Sequence, residues 1–208
     1  LPRNAQKYFD KYGKMKRTAE ALNELILETK GQIDHLESIQ NSLDIALSAD
    51  DLVQIKDELI EYGFIKKGKG SKKQKVKSKP FHYISSDGFD MYVGKNNYQN
   101  DELTFKLATG NDWWFHAKGM PGSHVIVKAE NKELPDSTFE EAGKLAGYYS
   151  KGKNADKVEI DYLQKKKCTK SQTVPQPALS CITQTILSRF TRIYPISGRL
   201  SKQIILIS

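Results

Sequence analysis

From Asn4 to about Leu47 the chain reads as one uninterrupted helical pattern, and that length limits its possible folds more than any other feature. Leu22, Ile26, Thr29, Ile33, Leu36, Gln40, Leu43 and Leu47 step alternately by four and three residues, the spacing of a heptad seam broken by the polar Gln40. At 1.5 Å per residue such a helix is roughly 65 Å long, more than the width of a small domain. A stripe of that length needs a partner helix, because each Leu or Ile left in water forgoes roughly 1.5 to 3 kcal/mol of burial. Ser48-Ala49-Asp50-Asp51 interrupts the pattern, and Ser48 or Asp50 is a suitable N-cap for a second helix ending near Tyr62-Gly63. Leu52, Ile55, Leu59 and Tyr62 again step by three and four, but this helix covers only a third of the long one. The rest of the seam is expected to have lost its partner. The alternative is an ordinary amphipathic helix packed on the domain that follows.

The next segment is defined by charge. Lys66, Lys67, Lys69, Lys72, Lys73, Lys75, Lys77 and Lys79 place eight positive charges and no acid in 14 residues, equal to the net charge of +8 of the whole 208-residue chain. Gly68, Gly70 and Ser71 keep the stretch flexible. A solvated linker is one complete explanation. The other is a polyanionic partner: each Lys that reaches a phosphate releases counterions, so affinity should fall steeply with salt. No run of 18 apolar residues and no charged-then-apolar leader occurs, and Leu1-Pro2 reads as the interior of a longer protein. Cys168 and Cys181, without CxxC spacing or a disulfide framework, fit a reducing cytoplasm.

Phe81 to Val127 is the most aromatic part of the chain and reads as hairpin, helix, strand, turn, strand. Ser85-Ser86-Asp87-Gly88 separates two alternating runs, His82 to Ile84 and Phe89 to Val93, and Asp-Gly in that setting signals a β-hairpin. Asn100 is a plausible N-cap for a helix through Leu107. Trp113 to Ala117 and His124 to Val127 read as strands joined by Gly119-Met120-Pro121-Gly122. Farther on, Thr138 and Glu141 have capping-box spacing for a helix from Phe139 to about Ser150, and Val158, Ile160 and Tyr162 alternate as a strand. The order β-β-α-β-β-α-β describes an α+β domain: a small mixed, mostly antiparallel sheet packed with two helices, preceded by the long coiled-coil-type helix and the short one.

Beyond residue 163 the composition changes abruptly. Residues 164–208 hold none of the chain's 25 acids, and 11 of their 45 residues are Ser or Thr. The expected organisation is therefore a helical segment at 1–63, a Lys-rich linker at 64–80, an α+β domain at 81–163 and an aberrant tail at 164–208. The tail is expected to be poorly ordered, leaving a sheet edge without its last strand unless apolar residues such as Ile204 to Ile207 substitute.

Enzyme chemistry is weakly encoded. Asp112, His116, Ser123 and His124 are triad-type residues, but Gly122-Ser123-His124 lacks the GxSxG elbow. His82, His116 and His124 show no HxH or HxxxH spacing. The expectation is a non-enzymatic chain with no cofactor or metal. In Asp112-Trp113-Trp114-Phe115-His116, alternation sends Trp113 and Phe115 to one face and Trp114 and His116 to the other. The second face offers rings that stack on bases, unless Trp114 lies beneath a helix and His116 is simply hydrogen-bonded. Lys95, Asn96, Asn97, Gln99 and Asn100 form a polar, acid-free run before a helix start, a suitable place for phosphate. The candidate nucleic-acid contacts are these five residues, Trp114, His116, Ser123, His124 and the eight lysines from Lys66 to Lys79.

The runs DGFDMYVGKNNYQNDELTFKLA, DWWFHAKGMPGSHVIV and EEAGKLAGYYSK closely resemble the NFACT-R domain of the RqcH, NEMF and fibronectin-binding protein A family. NAQKYFDKY near the N-terminus is similar to that family's returning coiled-coil helix, so the likeness covers roughly residues 2 to 163. It implies binding to a large ribosomal subunit obstructed by peptidyl-tRNA and recruitment of tRNA for C-terminal tailing of the stalled chain, with rRNA and tRNA as partners. It also implies an outgoing coiled-coil helix, missing here, that pairs with the seam, while the catalytic and tRNA-selecting parts of the family would lie N-terminal to Leu1. The fibronectin-binding name suggests a surface adhesion module as the alternative, with fibronectin as partner. The tail departs from the family pattern completely. With suitable codons, Ser171 to Leu187 in another frame would read Pro-Asn-Gly-Ala, Phe-Val-Met, Tyr-Thr-Asn-Tyr-like, so a frameshift is expected there.

Overall fold

A computed structural model describes residues 2–68, 78–167, 190–195 and 205–207. The long helix α1 runs from Pro2 to Ile45 and α2 from Ala49 to Glu61. Ser48 caps α2 with a reciprocal box: its hydroxyl accepts from the Asp51 N–H, and the Asp51 carboxylate accepts from the Ser48 N–H at 3.0 Å. The chain divides into two compact units, Leu1–Leu36 and Glu37–Ser208. In the first, no described residue from Arg3 to Asp34 is buried, and the seam residues Leu22, Ile26 and Ile33 are each about half exposed.

The seam does not extend as expected into the second unit. Leu43 and Leu47 are exposed, whereas Ser38, Ile39 and Ser42 are buried. The apolar face read for α2 is likewise displaced. Leu52 and Tyr62 are exposed, and Asp51, Ile55 and Glu58 face inward. Both helices in this unit present polar side chains to the interior, and periodicity of apolar residues cannot register that.

The sheet follows from short alternating runs. Strands β1 (Phe81–Ile84) and β2 (Asp90–Val93) form the expected hairpin, with Gly88 at φ 85° in its turn. A short helix α3 (Asn97–Glu102) continues as a π-turn through Leu103–Leu107. Next come β3 (Trp113–Ala117), β4 (Val125–Val127), helix α4 (Asp136–Tyr148) and β5 (Lys157–Gln164). A 3-10 turn at Lys165–Lys167 follows β5, and two described strands lie in the tail, β6 (Phe190–Pro195) and β7 (Ile205–Ile207). The order across the sheet is β6-β5-β3-β4-β2-β1-β7, and every described pairing is antiparallel.

Alternation along the strands builds two cores. One face gathers Phe81, Met91, Val93, Phe115, Val125 and Ile160 beneath Ala142, Leu145 and Ala146 of α4. The opposite face packs Trp114, Ile126 and Leu163 beneath Leu103 and Ala108, at the two ends of the π-turn. Each large aliphatic side chain buried in this way contributes roughly 1.5 to 3 kcal/mol.

Two expectations need correction. Asn96, four residues earlier than Asn100, is the N-cap of α3, because its side chain accepts from the Gln99 N–H at 3.0 Å. Thr138 and Glu141 form no capping box. Thr138 donates to Ser85 and Asp87, and Glu141 accepts from the Ser86 N–H, so both tie α4 to the hairpin turn. The tail supplies edge strands: β6 pairs with β5, and β7, from the apolar run at Ile204 to Ile207 expected as the substitute, pairs with β1. Tyr194 of β6 is buried in the α4 core. Residues 168–189, 196–204 and 208, with both cysteines and the segment of the expected frame change, lie outside the described residues.

Candidate nucleic-acid interface

The polar run after β2 begins at Gly94, where a Cβ would lie 2.2 Å from the Asn100 side-chain oxygen, so only glycine permits this approach. Asn100 accepts from the His124 N–H at 3.0 Å and donates to the Gly122 carbonyl at 3.5 Å, joining the start of α3 to the turn before β4. Asn97 accepts from the Ser38 hydroxyl of α1 at 2.8 Å and donates to the Glu58 carboxylate of α2 at 2.7 Å. Gln54 of α2 accepts from Asn96 at 2.8 Å and from Gln99 at 3.0 Å. Lys95 pairs with Asp51 at 3.3 Å and lies 4.6 Å from the Phe81 ring centre. Burial pushes the Asp51 carboxyl up, but hydrogen bonds from Ser78, Leu47 N–H and Ser48, with the Lys95 charge, outweigh it and hold it below the usual carboxylate range.

These contacts correct the phosphate-site expectation. Asn96, Asn97, Gln99 and Asn100 are each no more than 4% exposed. Their amides bind the end of α1, α2 and the β4 turn to one another, and an interior polar layer of this kind is stable because its groups have partners.

The second expected group lies together but also inside. Trp114, His116, Ser123 and His124 are 1–3% exposed. Trp114 and His116 stack at 5.7 Å, and His124 meets both edge-on at 5.2 and 5.3 Å. His124 Nδ1 is 2.8 Å from the Thr104 hydroxyl, which belongs to the π-turn. Burial, reinforced by His116, holds the His124 imidazole well below its ordinary pKa despite the opposing backbone hydrogen bond at Asn100, so the ring is neutral at pH 7. The alternation of β3 is as read, with Trp114 and His116 opposite Trp113 and Phe115, but the π-turn covers the face expected to meet bases.

Asp112 is placed for structure. Burial pushes its carboxyl up, and hydrogen bonds from Lys128, from the Thr109 N–H and hydroxyl and from the Ala129 N–H hold it below the usual range. Those partners tie the loop before β3 to the residues just after β4. Among the described residues no group of three or more His, Cys, Asp or Glu side chains is arranged to hold a metal ion.

Of the lysines expected to meet nucleic acid, Lys66, Lys67 and Lys79 are described and exposed. Lys69, Lys72, Lys73, Lys75 and Lys77 lie outside the described residues. Beside Lys79 opens a cleft of about 340 Å³, walled by Pro80, Tyr92, Leu103 and Leu107 and bordered by Gln99, Glu102 and Lys106. The sequence reading passed over Tyr92 and Lys106. The signal for Tyr92 was the alternation of β2, which buries Met91 and Val93 on the α4 side and turns Tyr92 to the other.

Residues 1–79 match the family model described as NFACT N-terminal and middle domains, and residues 79–176 match the one described as NFACT protein RNA binding domain. A solved structure, the C-terminal of the fibronectin/fibrinogen-binding protein from Streptococcus suis, aligns with a TM-score of 0.79 and 39% identity, covering 93% of this chain and 75% of that one. The chain belongs to the RqcH family of NFACT proteins. Its RqcH-family relatives include the "Rqc2 homolog RqcH" of Streptococcus suis (strain 05ZYH33), 44% identical over 168 residues, which are 80% of this chain and 30% of that protein. The Bacillus subtilis (strain 168) protein of the same name is 38% identical over 162 residues, 76% of this chain and 28% of that protein. The chain thus spans about 30% of the length of the curated relatives it matches. Within this RqcH-family chain the RNA binding domain begins at Lys79, where the lysine stretch ends and the cleft begins. No described helix is long and apolar enough to cross a membrane.

Proposed function

We propose that this chain is the RNA-binding and ribosome-binding part of a cytoplasmic quality-control factor that engages large ribosomal subunits carrying peptidyl-tRNA. In the whole protein it would help recruit tRNA for C-terminal tailing of the nascent chain, itself performing no catalysis. The observation that carries this reading is the junction at residue 79, where eight lysines without an acid lead into a domain matched as RNA-binding. The lysines from Lys66 to Lys79, rather than the buried amides and imidazoles, are its contact residues for tRNA and rRNA. The half-exposed Leu22, Ile26 and Ile33 support pairing of α1 with an outgoing coiled-coil helix.

Affinity capture from a bacterial lysate at about 50 and 200 mM salt tests the reading. The chain should retain large subunits and tRNA at the lower salt and release them at the higher. A second reading, adhesion to fibronectin, is favoured by the likeness to the C-terminal of the fibronectin/fibrinogen-binding protein from Streptococcus suis. Salt-insensitive capture of purified fibronectin with no ribosomal RNA retained would establish it instead.

A further inference from the structure

Gln99 and Leu103 hold the cleft beside Lys79 in shape through the contacts described above, and Tyr92, Glu102, Lys106 and Leu107 face its opening. Its walls are an aromatic ring, two leucines and a proline, and its border carries Glu102 and Lys106. Those two side chains are only loosely paired at 3.8 Å and are mostly exposed, so each remains available to a ligand. The Tyr92 ring is held in position: His82 stacks on it at 4.5 Å with planes 5° apart, and His82 is itself fixed by Asp90 at 2.6 Å. Burial, with the neighbouring Asp90 charge, raises the Tyr92 phenol, so the ring stays neutral. Outside the cleft, Lys165 lies 4.9 Å above Phe105 of the same π-turn that contributes Leu103 and Leu107.

A volume of about 340 Å³ is at the small end for ligand pockets, too small for a helix and suited to one flat group. Apolar walls with an aromatic, a carboxylate and an ammonium at the mouth and a cationic approach match a polyanion that carries flat, hydrogen-bonding rings. Single-stranded nucleic acid is that polymer, since grooves that bind it combine lysines along the backbone with aromatic walls for bases.

We infer that the cleft between Tyr92 and the π-turn Leu103–Leu107 receives one unpaired base of an RNA strand, with the adjoining phosphates meeting Lys79 and Lys106. This rests on the RNA-binding reading and gives that reading a specific seat on the domain. Glu102 is placed to accept from an exocyclic amino group. The cleft therefore favours bases that carry one over uracil.

The test uses the whole chain, a labelled short single-stranded RNA and the same RNA with one abasic nucleotide, which keeps every phosphate. Tyr92→Leu should weaken binding of the intact strand about 5- to 150-fold, while Tyr92→Phe stays within about twofold. The salt slope should be unchanged, and the abasic strand should bind all three proteins alike. Leu107→Glu, at an exposed wall position, should weaken the intact strand as well. If Tyr92→Leu fails to fold, Leu107→Glu and photocross-linking of 6-thioguanosine RNA to residues 92 and 103–107 decide the question. Wild-type affinity in both cleft variants, with binding lost only on neutralising Lys66 to Lys79, overturns the cleft and leaves the RNA-binding reading intact. Absence of RNA binding by the wild type at about 50 mM salt overturns that reading itself. Displacement of the strand by free nucleoside monophosphates at micromolar concentration would make the cleft a nucleotide site and overturn the proposal.

Discussion

Replacing Asn97 by Leu tests whether the polar run after β2 is interior structure or contact surface. Asn97 joins Ser38 of α1 and Glu58 of α2 through hydrogen bonds of 2.8 and 2.7 Å, and it is 4% exposed. Leucine is close in volume but has neither donor nor acceptor. The variant loses one bond between neutral groups, about 0.5 to 1.5 kcal/mol, and one to a carboxylate, about 1.5 to 3 kcal/mol. The expected loss is about 2 to 4 kcal/mol, a large part of a typical domain stability of about 5 to 15 kcal/mol. Urea denaturation followed by fluorescence of Trp113 and Trp114 reads it directly, as both rings lie in the sheet unit. With an m-value of about 2 kcal/mol/M, the midpoint should fall by about 1 to 2 M. Adding Glu58→Leu should cost less than the sum of the two single changes, with a coupling of about 0.5 to 3 kcal/mol, because either change alone already removes the hydrogen bond the two side chains share. A variant within about 0.5 kcal/mol of wild type that nevertheless loses RNA affinity would refute the reasoning, since it would make Asn97 a ligand residue.

Three further outcomes follow from named contacts. His124 is neutral when folded and ionises near its ordinary 6.5 when unfolded, so the unfolded chain binds the extra proton as pH falls below 6.5. Stability is therefore complete above that pH and declines below it by up to about 1.4 kcal/mol per pH unit, and the difference between wild type and His124→Asn across pH 7 to 5 should show this slope. Gly143→Ala places a Cβ 2.5 Å from the Tyr194 ring. It should cost about 1 to 3 kcal/mol by thermal melting, and much less in a Tyr194→Leu background if β6 packs on α4. Nucleotide sequencing across the codons of residues 160–190 tests the expected frame change, which requires a shifted frame encoding an NFACT-like closing segment and is wrong if none does.

What the sequence disclosed and what it concealed divide along the range of the interactions involved. The hairpin at Asp87-Gly88, strand β3 and helix α1 were legible because turn chemistry and periodicity act between near neighbours. Asn96 and Asn100 are equally good caps on paper. The choice between them depends on Asn100 bonding to His124 and Gly122, more than 20 residues away. Thr138 and Glu141 likewise have capping-box spacing but reach to the hairpin turn. The π-turn has no sequence rule of its own, yet it packs on Trp114 and reaches His124 through Thr104, and so decides that they are core. Strand β6 was concealed for the same reason, since its partner β5 lies far back along the chain, whereas the apolar run at Ile204 to Ile207 marked β7.

The salt dependence of tRNA affinity tests the central claim most directly. Binding measured between about 50 and 200 mM salt, for the wild type and for a variant with all eight lysines from Lys66 to Lys79 changed to Gln, should give a steep negative slope of log affinity on log salt. Each phosphate contact contributes about 0.7 to 0.9 to that slope, so the variant should lose several units of it together with most of its low-salt affinity. Equal slopes for the two proteins, or no tRNA bound by either at the lowest salt, would contradict the account.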